Sequence, residues 1–165
     1  MSARLFARKG VVFLVVIALA VFGLLRANAA TAQTQLAVEY YYADWNFYFV
    51  TWDPGEIAAL DGGAFGGLWK RTGQTFTVWT SSANGALATC RFFSVVFAPR
   101  SSHFYTDRAA ECAQLKQNPG WQYENIAFYL EPLTATFDCA AGTVILFRLF
   151  NNGMGGAPNH RFITD

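Results

Sequence analysis

Cys90-Arg91-Phe92-Phe93, Ser102-His103-Phe104-Tyr105-Thr106, Glu111-Cys112 and Trp121-Gln122-Tyr123-Glu124-Asn125-Ile126-Ala127-Phe128 form the stretch that decides the fold, because its landmarks recur in order elsewhere in the chain. A charged residue followed by a bulky apolar pair appears at Glu39-Tyr40-Tyr41, Arg91-Phe92-Phe93 and Arg148-Leu149-Phe150, at intervals of 52 and 57 residues. A second aromatic run ending in Thr follows each: Phe47-Tyr48-Phe49-Val50-Thr51, His103-Phe104-Tyr105-Thr106 and His160-Arg161-Phe162-Ile163-Thr164. In the first two copies a Glu stands five residues past the Thr, at Glu56 and Glu111. Trp69 and Trp121 then each precede a Phe by seven residues, at Phe76 and Phe128.

These landmarks translate into local structure. The alternating aromatic and β-branched runs suit half-buried strands. Asp53-Pro54-Gly55-Glu56 opens a helix: Asp caps, Pro fits the first turn, and Glu three residues on completes a capping box. That helix runs through Leu60 and stops at Gly62-Gly63, and its counterpart spans about Arg108 to Lys116, ended by Asn118-Pro119-Gly120. Thr75 to Trp79 and Ile126 to Leu130 read as strands. The expected fold class is therefore α+β and β-dominated, with antiparallel strands and short helices in pseudo-threefold strand-strand-helix-strand repeats. The copies are placed at about 38–80, 89–131 and 144–165, the third lacking its helix and last strand. Ser81 to Ala88 and Asn151 to Asn159 read as exposed turns.

The start of the chain has a different character. Arg4, Arg8 and Lys9 form a basic segment without acid, Val11 to Leu25 is an apolar run of 15 residues, and Ala27-Asn28-Ala29 is a small-x-small cleavage site. That order defines a secretory signal peptide over residues 1–29, shorter than the about 20 apolar residues of a spanning helix. Residues 30–37 read as a linker and 38–165 as one domain. The expected location is secreted, periplasmic or cell-surface, with no stable membrane insertion after cleavage.

Cleavage removes four basic residues and no acid, so eight Lys and Arg face eleven Asp and Glu, and the charge falls from +1 to about −3. This argues against a nucleic-acid partner, which needs a basic surface. In an oxidising compartment, Cys90, Cys112 and Cys139 allow one disulfide and leave one thiol. Cys112 lies in the second helix and Cys139 follows the strand to which that helix leads, so a Cys112–Cys139 bridge is expected. The cysteine spacings match no zinc pattern, and neither a metal nor a cofactor is expected.

At its repeated landmarks the chain resembles a repeat family of unknown function found in exported bacterial and fungal proteins. The matching motifs are an Arg-aromatic strand, H-x-F-x-T or H-F-Y-T, a Glu, and W-x-Y-E-G-[IV]-A-[FY]. The second copy matches best, and the resemblance covers about residues 38–165. It implies an accessory role beside secreted hydrolases rather than chemistry. Phe47 stands where the motif has His, Asn125 replaces its Gly, and a fourth cysteine, the partner the resemblance implies for Cys90, is missing with the last half-repeat.

Candidate chemistry is sparse. No G-x-S-x-G, H-E-x-x-H or P-loop occurs, and no catalytic residue is assigned. His103 and His160 occupy equivalent motif positions; they are candidates to line ligand pockets, against a structural role holding turns. Glu56 and Glu111 suit helix capping better than a glycosidase pair, and Arg91 and Glu124 suit a structural ion pair. Trp45 and Trp52 do not recur in the repeat and are the better surface candidates, whereas Trp69 and Trp121 recur and suit the core. Aromatic faces stack on sugar rings and grip partner surfaces. The ligand-binding candidates are Trp45, Trp52, His103, Tyr105 and His160.

The expected function is a secreted non-catalytic accessory or binding module for carbohydrate or another surface macromolecule. The alternatives are a small secreted hydrolase with a site assembled across repeats, and a structural remnant of a longer exported protein. With no helix or strand after Thr164, Phe147, Leu149, Phe162 and Ile163 are expected to lack cover. Homodimerisation through the third copy is then expected, unless the strand at Val38 to Tyr42 closes the gap.

Overall fold

The computed structural model describes residues 33–82 and 85–164. The expected signal peptide over residues 1–29 and its expected cleavage site lie outside the described residues. Among the described residues no helix is long and apolar enough to cross a membrane.

Three antiparallel hairpins organise the chain: β1 (Thr34–Tyr42) with β2 (Phe47–Thr51), β4 (Leu87–Ser94) with β5 (Ser102–Thr106), and β7 (Phe147–Phe150) with β8 (His160–Ile163). Helix α1 (Pro54–Asp61) and strand β3 (Trp69–Trp79) follow the first hairpin; α2 (Ala109–Leu115) and β6 (Gln122–Leu130) follow the second. The fold is strand-dominated α+β, as expected. β1 begins at Thr34, inside the stretch expected to be linker.

The larger sheet has the order β2-β1-β3-β6-β4-β5. It falls into two three-stranded halves, β2-β1-β3 and β5-β4-β6, joined by a single pairing of Trp79 with Tyr129. β7 and β8 form a separate two-stranded sheet.

The expected helices form where the sequence places them. Asp53 accepts a hydrogen bond from the Glu56 backbone N–H at 2.9 Å, and Pro54 fills the first turn, where no amide hydrogen is needed. The turn between β1 and β2 puts Asn46 at φ 55°, a left-handed conformation that Asn tolerates. Its side chain accepts from the Tyr41 hydroxyl at 3.1 Å, fixing the tip beside Trp45.

The main core draws on all three hairpins: Val38, Tyr40, Phe49 and Val50 meet Tyr105, Phe128 and Phe162. A smaller cluster joins Phe92, Cys90 and Cys112, with Phe104 and Trp121 packed against it. The recurring Trp69 and Trp121 both pack on core clusters, in keeping with the sequence reading. The third hairpin is less bare than expected, because Phe162 is buried and Ile163 half-buried. Phe147 and Leu149 are each 46% exposed. β1 pairs with β2 on one edge and β3 on the other, so it does not cover β7.

The disulfide corrects an expectation. Cys90 bonds Cys112, with Cα atoms 6.1 Å apart, and Cys139 is the free thiol, not a partner of Cys112. The short α2 packs back onto its own hairpin, bringing Cys112 to β4. The chain leaves β6 at Leu130, and Cys139 falls in the irregular segment that follows. Val38 and Ile57 hold the corresponding places in the first hairpin and helix, and both belong to the main core.

Candidate functional site

The second strands of the three hairpins meet one another, and their polar side chains are used at those junctions. The Tyr105 hydroxyl on β5 donates to the Val50 carbonyl on β2 at 2.7 Å. Arg148 on β7 donates to the Tyr105 carbonyl at 3.0 Å. Asn159, just before β8, bonds both backbone groups of Tyr48 on β2, at 2.7 and 3.1 Å.

Charged pairs tie the same junctions. Arg91 on β4 donates to both carboxylate oxygens of Glu56 on α1, at 2.9 and 2.7 Å. Arg148 on β7 reaches Glu111 on α2 at 3.0 and 3.4 Å. Glu39 on β1 is 1% exposed, and Arg161 on β8 satisfies both its oxygens at 3.0 Å. Each of these guanidinium groups also covers an aromatic ring: Arg91 over Phe49, Arg148 over Phe104 and Arg161 over Tyr48.

Glu56 and Glu111 therefore pair with arginines instead of closing the expected caps, and the cap amides of Asp53 and Arg108 donate to Thr51 and Thr106. Asp53 caps α1 with its side chain, while the Asp53 amide donates to Thr51 Oγ1 rather than to Glu56. The Glu56 carboxylate accepts from the Thr51 hydroxyl as well as from Arg91. The reason is electrostatic, since a guanidinium donor is a stronger partner than a neutral amide. Burial pushes the Glu56 acid upward, but the hydrogen bonds from Arg91 and Thr51 outweigh it and hold the group below its ordinary range. At Glu111 burial is likewise outweighed, by Arg148 and Thr106.

The two histidines hold matching positions. In the ladders His103 faces Phe93 and His160 faces Phe150, while Tyr48 faces Tyr41. Tyr48, rather than Phe47, thus stands at the histidine register in the first hairpin. His103 packs between Phe49 and Phe93, and His160 between Phe104 and Phe150, with ring centroids 4.7 to 4.9 Å apart. Burial, then the nearby Arg91, lowers the His103 pKa to about 3; burial, then Arg148, lowers that of His160 to about 4. Both rings are neutral at pH 7 and weak as bases.

Arg91 Nε also lies 2.8 Å from Glu124, as expected of that pair, and Glu124 lies 3.4 Å from His103. Burial raises the Glu124 pKa despite Arg91. Tyr105 is buried, and burial raises its hydroxyl pKa, leaving it a neutral donor. Among the described residues no three His, Cys, Asp or Glu side chains are grouped to hold a metal ion.

Trp52 and Trp45 separate in role. The Trp52 indole N–H donates to the Ala127 carbonyl on β6, beside a polar cavity of about 80 Å3 walled by Glu56, Arg91 and Asn125. Trp45 lies at the tip of the first hairpin, half-buried, its ring 4.4 Å from that of Tyr42. Trp69 stands 5.6 Å from Tyr42 and completes a three-ring cluster that sequence reasoning had divided between surface and core. Exposed Asp44 and Lys70 lie next to Trp45 and Trp69 in the chain. A larger apolar groove of about 1170 Å3 runs past Phe76, Val78, Phe128, Leu146 and Phe147.

Fold and junctions together define a disulfide-bearing, β-dominated domain whose buried charges hold its hairpins to one another. The family model "Domain of unknown function (DUF5648)" matches residues 26–131 and, in a second overlapping match, 49–165. The chain belongs to that family. No curated protein and no solved structure matches it.

Proposed function

We propose that the chain is an exported, non-catalytic module that binds carbohydrate of a cell surface through Tyr42, Trp45 and Trp69. The observation that carries this reading is the three-ring cluster at the first hairpin tip, with ring centroids 4.4 and 5.6 Å apart and all three rings half-buried. Aromatic faces left partly in water are suited to the apolar faces of sugar rings, and the neighbouring Asp44 and Lys70 offer an acceptor and a donor for hydroxyls. The hydrolase alternative gains little, because the carboxylates Glu56 and Glu111 are engaged by arginines and both histidines are neutral and packed among rings.

The proposal includes the architecture: a strand-strand-helix-strand unit that occurs twice, with its hairpin present a third time. Supporting it are the recurring order strand, strand, helix, strand, the matching Arg91–Glu56 and Arg148–Glu111 pairs, and the two overlapping family matches. The disulfide Cys90–Cys112 is in keeping with an oxidising compartment.

Glycan-array screening of the exported protein, followed by titration of tryptophan fluorescence with the best glycan, tests the reading. Trp45→Ala is expected to weaken binding at least about tenfold with the circular dichroism spectrum unchanged. An array without a hit, or full binding by a folded Trp45→Ala variant, would overturn it.

A further inference from the structure

We infer that the glycan bound at the first hairpin tip is acidic, and that Arg100 takes its anionic group. The inference deepens the glycan-binding reading and rests on it. Three hairpin ends meet beside that tip. The loop joining β7 to β8 is tied to β2 by the two Asn159–Tyr48 bonds, and to β5 by the Ser102 hydroxyl, which donates to the Pro158 carbonyl. Just ahead of those ties, Gly155 and Gly156 run against the other two hairpin ends. A Cβ on Gly155 would stand 3.5 Å from the Trp45 carbonyl oxygen, and one on Gly156 would stand 3.4 Å from Arg100 Nη1. Both glycines are exposed, with φ of 83° and 87°, a conformation that suits a residue without a side chain. The ground between Trp45 and Arg100 is therefore bare backbone.

Arg100 differs from the arginines that build the junctions. Arg71, Arg91, Arg148 and Arg161 each hold a carboxylate within 3.0 Å. Arg100 is half-buried and its Nε is shut off from water; among the described residues no acceptor meets that Nε and no carboxylate pairs with the guanidinium. The hairpin ends themselves offer little. Asp44 is the single acid within 43–46, 95–101 and 151–159, and it forms no ion pair with Arg100. A cation drawn partly out of water without a counter-charge is costly to keep. An anion from outside removes that cost.

The ligand chemistry that fits is an oxyanion carried on a sugar, either a ring carboxylate or a sulfate ester. A planar guanidinium donates two parallel N–H bonds to such a group, which gives direction as well as charge. With a sugar ring against Trp45, the oxyanion lies over Gly155 and Gly156 and meets Arg100. The rings then read the apolar face of the ligand, and Arg100 reads its charge. Exposed Lys70, beside Trp69 in the chain, adds a second positive charge at the aromatic cluster.

The test sorts glycan-array hits into neutral, carboxylated and sulfated classes. Isothermal titration calorimetry then compares the best acidic hit with its carboxyl-reduced or desulfated counterpart, which tells the two oxyanions apart. The acidic form is expected to bind at least about tenfold more tightly, with an advantage that shrinks as salt is raised. Arg100→Met should abolish that advantage, Arg100→Lys should keep part of it, and Trp45→Ala should weaken both forms alike. Because Arg100 holds no partner within the fold, Arg100→Met should leave the melting temperature undiminished, which a structural arginine would not. Hits confined to neutral glycans, an acidic preference that survives in Arg100→Met, or a melting temperature lowered by that variant overturns the inference while the aromatic site stands. An array without any hit overturns both.

Discussion

Arg91 grips both carboxylate oxygens of Glu56 from a different hairpin, at 2.9 and 2.7 Å, with its side chain only 9% exposed. The pair is far apart in sequence, so it holds tertiary structure rather than a turn. Removing one member of a buried pair leaves the other charge unpaired, at a cost of about 3–5 kcal/mol. Arg91→Met is expected to fall near the lower end, about 3 kcal/mol, because Glu56 retains some contact with water. Glu56→Gln, which keeps the shape, should cost less. Urea denaturation checks both, the midpoint falling with little change in slope.

Stability should fall as the solution is acidified through the histidine range. His103 and His160 have folded pKa values of about 3 and about 4, below the unfolded value of 6.5. Between those limits the unfolded chain binds protons that the folded chain refuses, so this stability is complete above the unfolded value and is lost as pH falls toward the folded ones. Each histidine contributes up to about a tenfold change in the folding constant per pH unit inside that window. Glu56 and Glu111, held low, add losses of the same sign at lower pH. Glu124, held high, opposes them there. Unfolding at a series of pH values should show His103→Phe flattening the slope between about pH 5 and 6.5, just below the unfolded histidine value.

Among the cysteines, Cys139→Ser is expected to be nearly silent. Opening the 22-residue Cys90–Cys112 loop should cost about 3 kcal/mol through the greater freedom of the unfolded chain. Peptide mapping under non-reducing conditions should recover Cys90 with Cys112, and the melting temperature of Cys90→Ser with Cys112→Ser should drop well below that of Cys139→Ser.

Trp52→Phe should keep most of the packing against the core and lose the indole hydrogen bond to Ala127. The expected loss is about 1–2 kcal/mol, the usual penalty for a carbonyl left without its partner. Thermal melts of the purified variant measure it. Trp45→Ala, at the hairpin tip, should change stability less than Trp52→Ala.

Local signals made much of the fold legible. Helix α1 was readable because Asp53, Pro54 and Gly62 punctuate it. Strand β3 was seen only from Thr75, because Lys70, Arg71 and Gly73 interrupt the apolar alternation in its first half. The Glu39–Arg161 pair joins residues 122 apart, and no local pattern predicts such a contact. The disulfide did leave a trace: Cys90 precedes Arg91 as Val38 precedes Glu39, and Cys112 follows Glu111 as Ile57 follows Glu56. An apolar pair at Val38 and Ile57 thus corresponds to the covalent pair at Cys90 and Cys112. The three-ring cluster was divided because Trp69 recurs and Trp45 does not, although β1 pairs Tyr42 with Trp69 directly.

The sign of the charge at Glu39 has a topological consequence. Arg91 and Arg148 each pair with an acid on the helix that follows the preceding hairpin. An arginine at position 39 would instead set a like charge against Arg161 in a buried place. Glu39 carries the opposite sign, lies buried and takes Arg161 from the last hairpin of its own chain. One inverted charge thus acts as a clasp: it ties β1 to β8 within a single molecule, across 122 residues of chain.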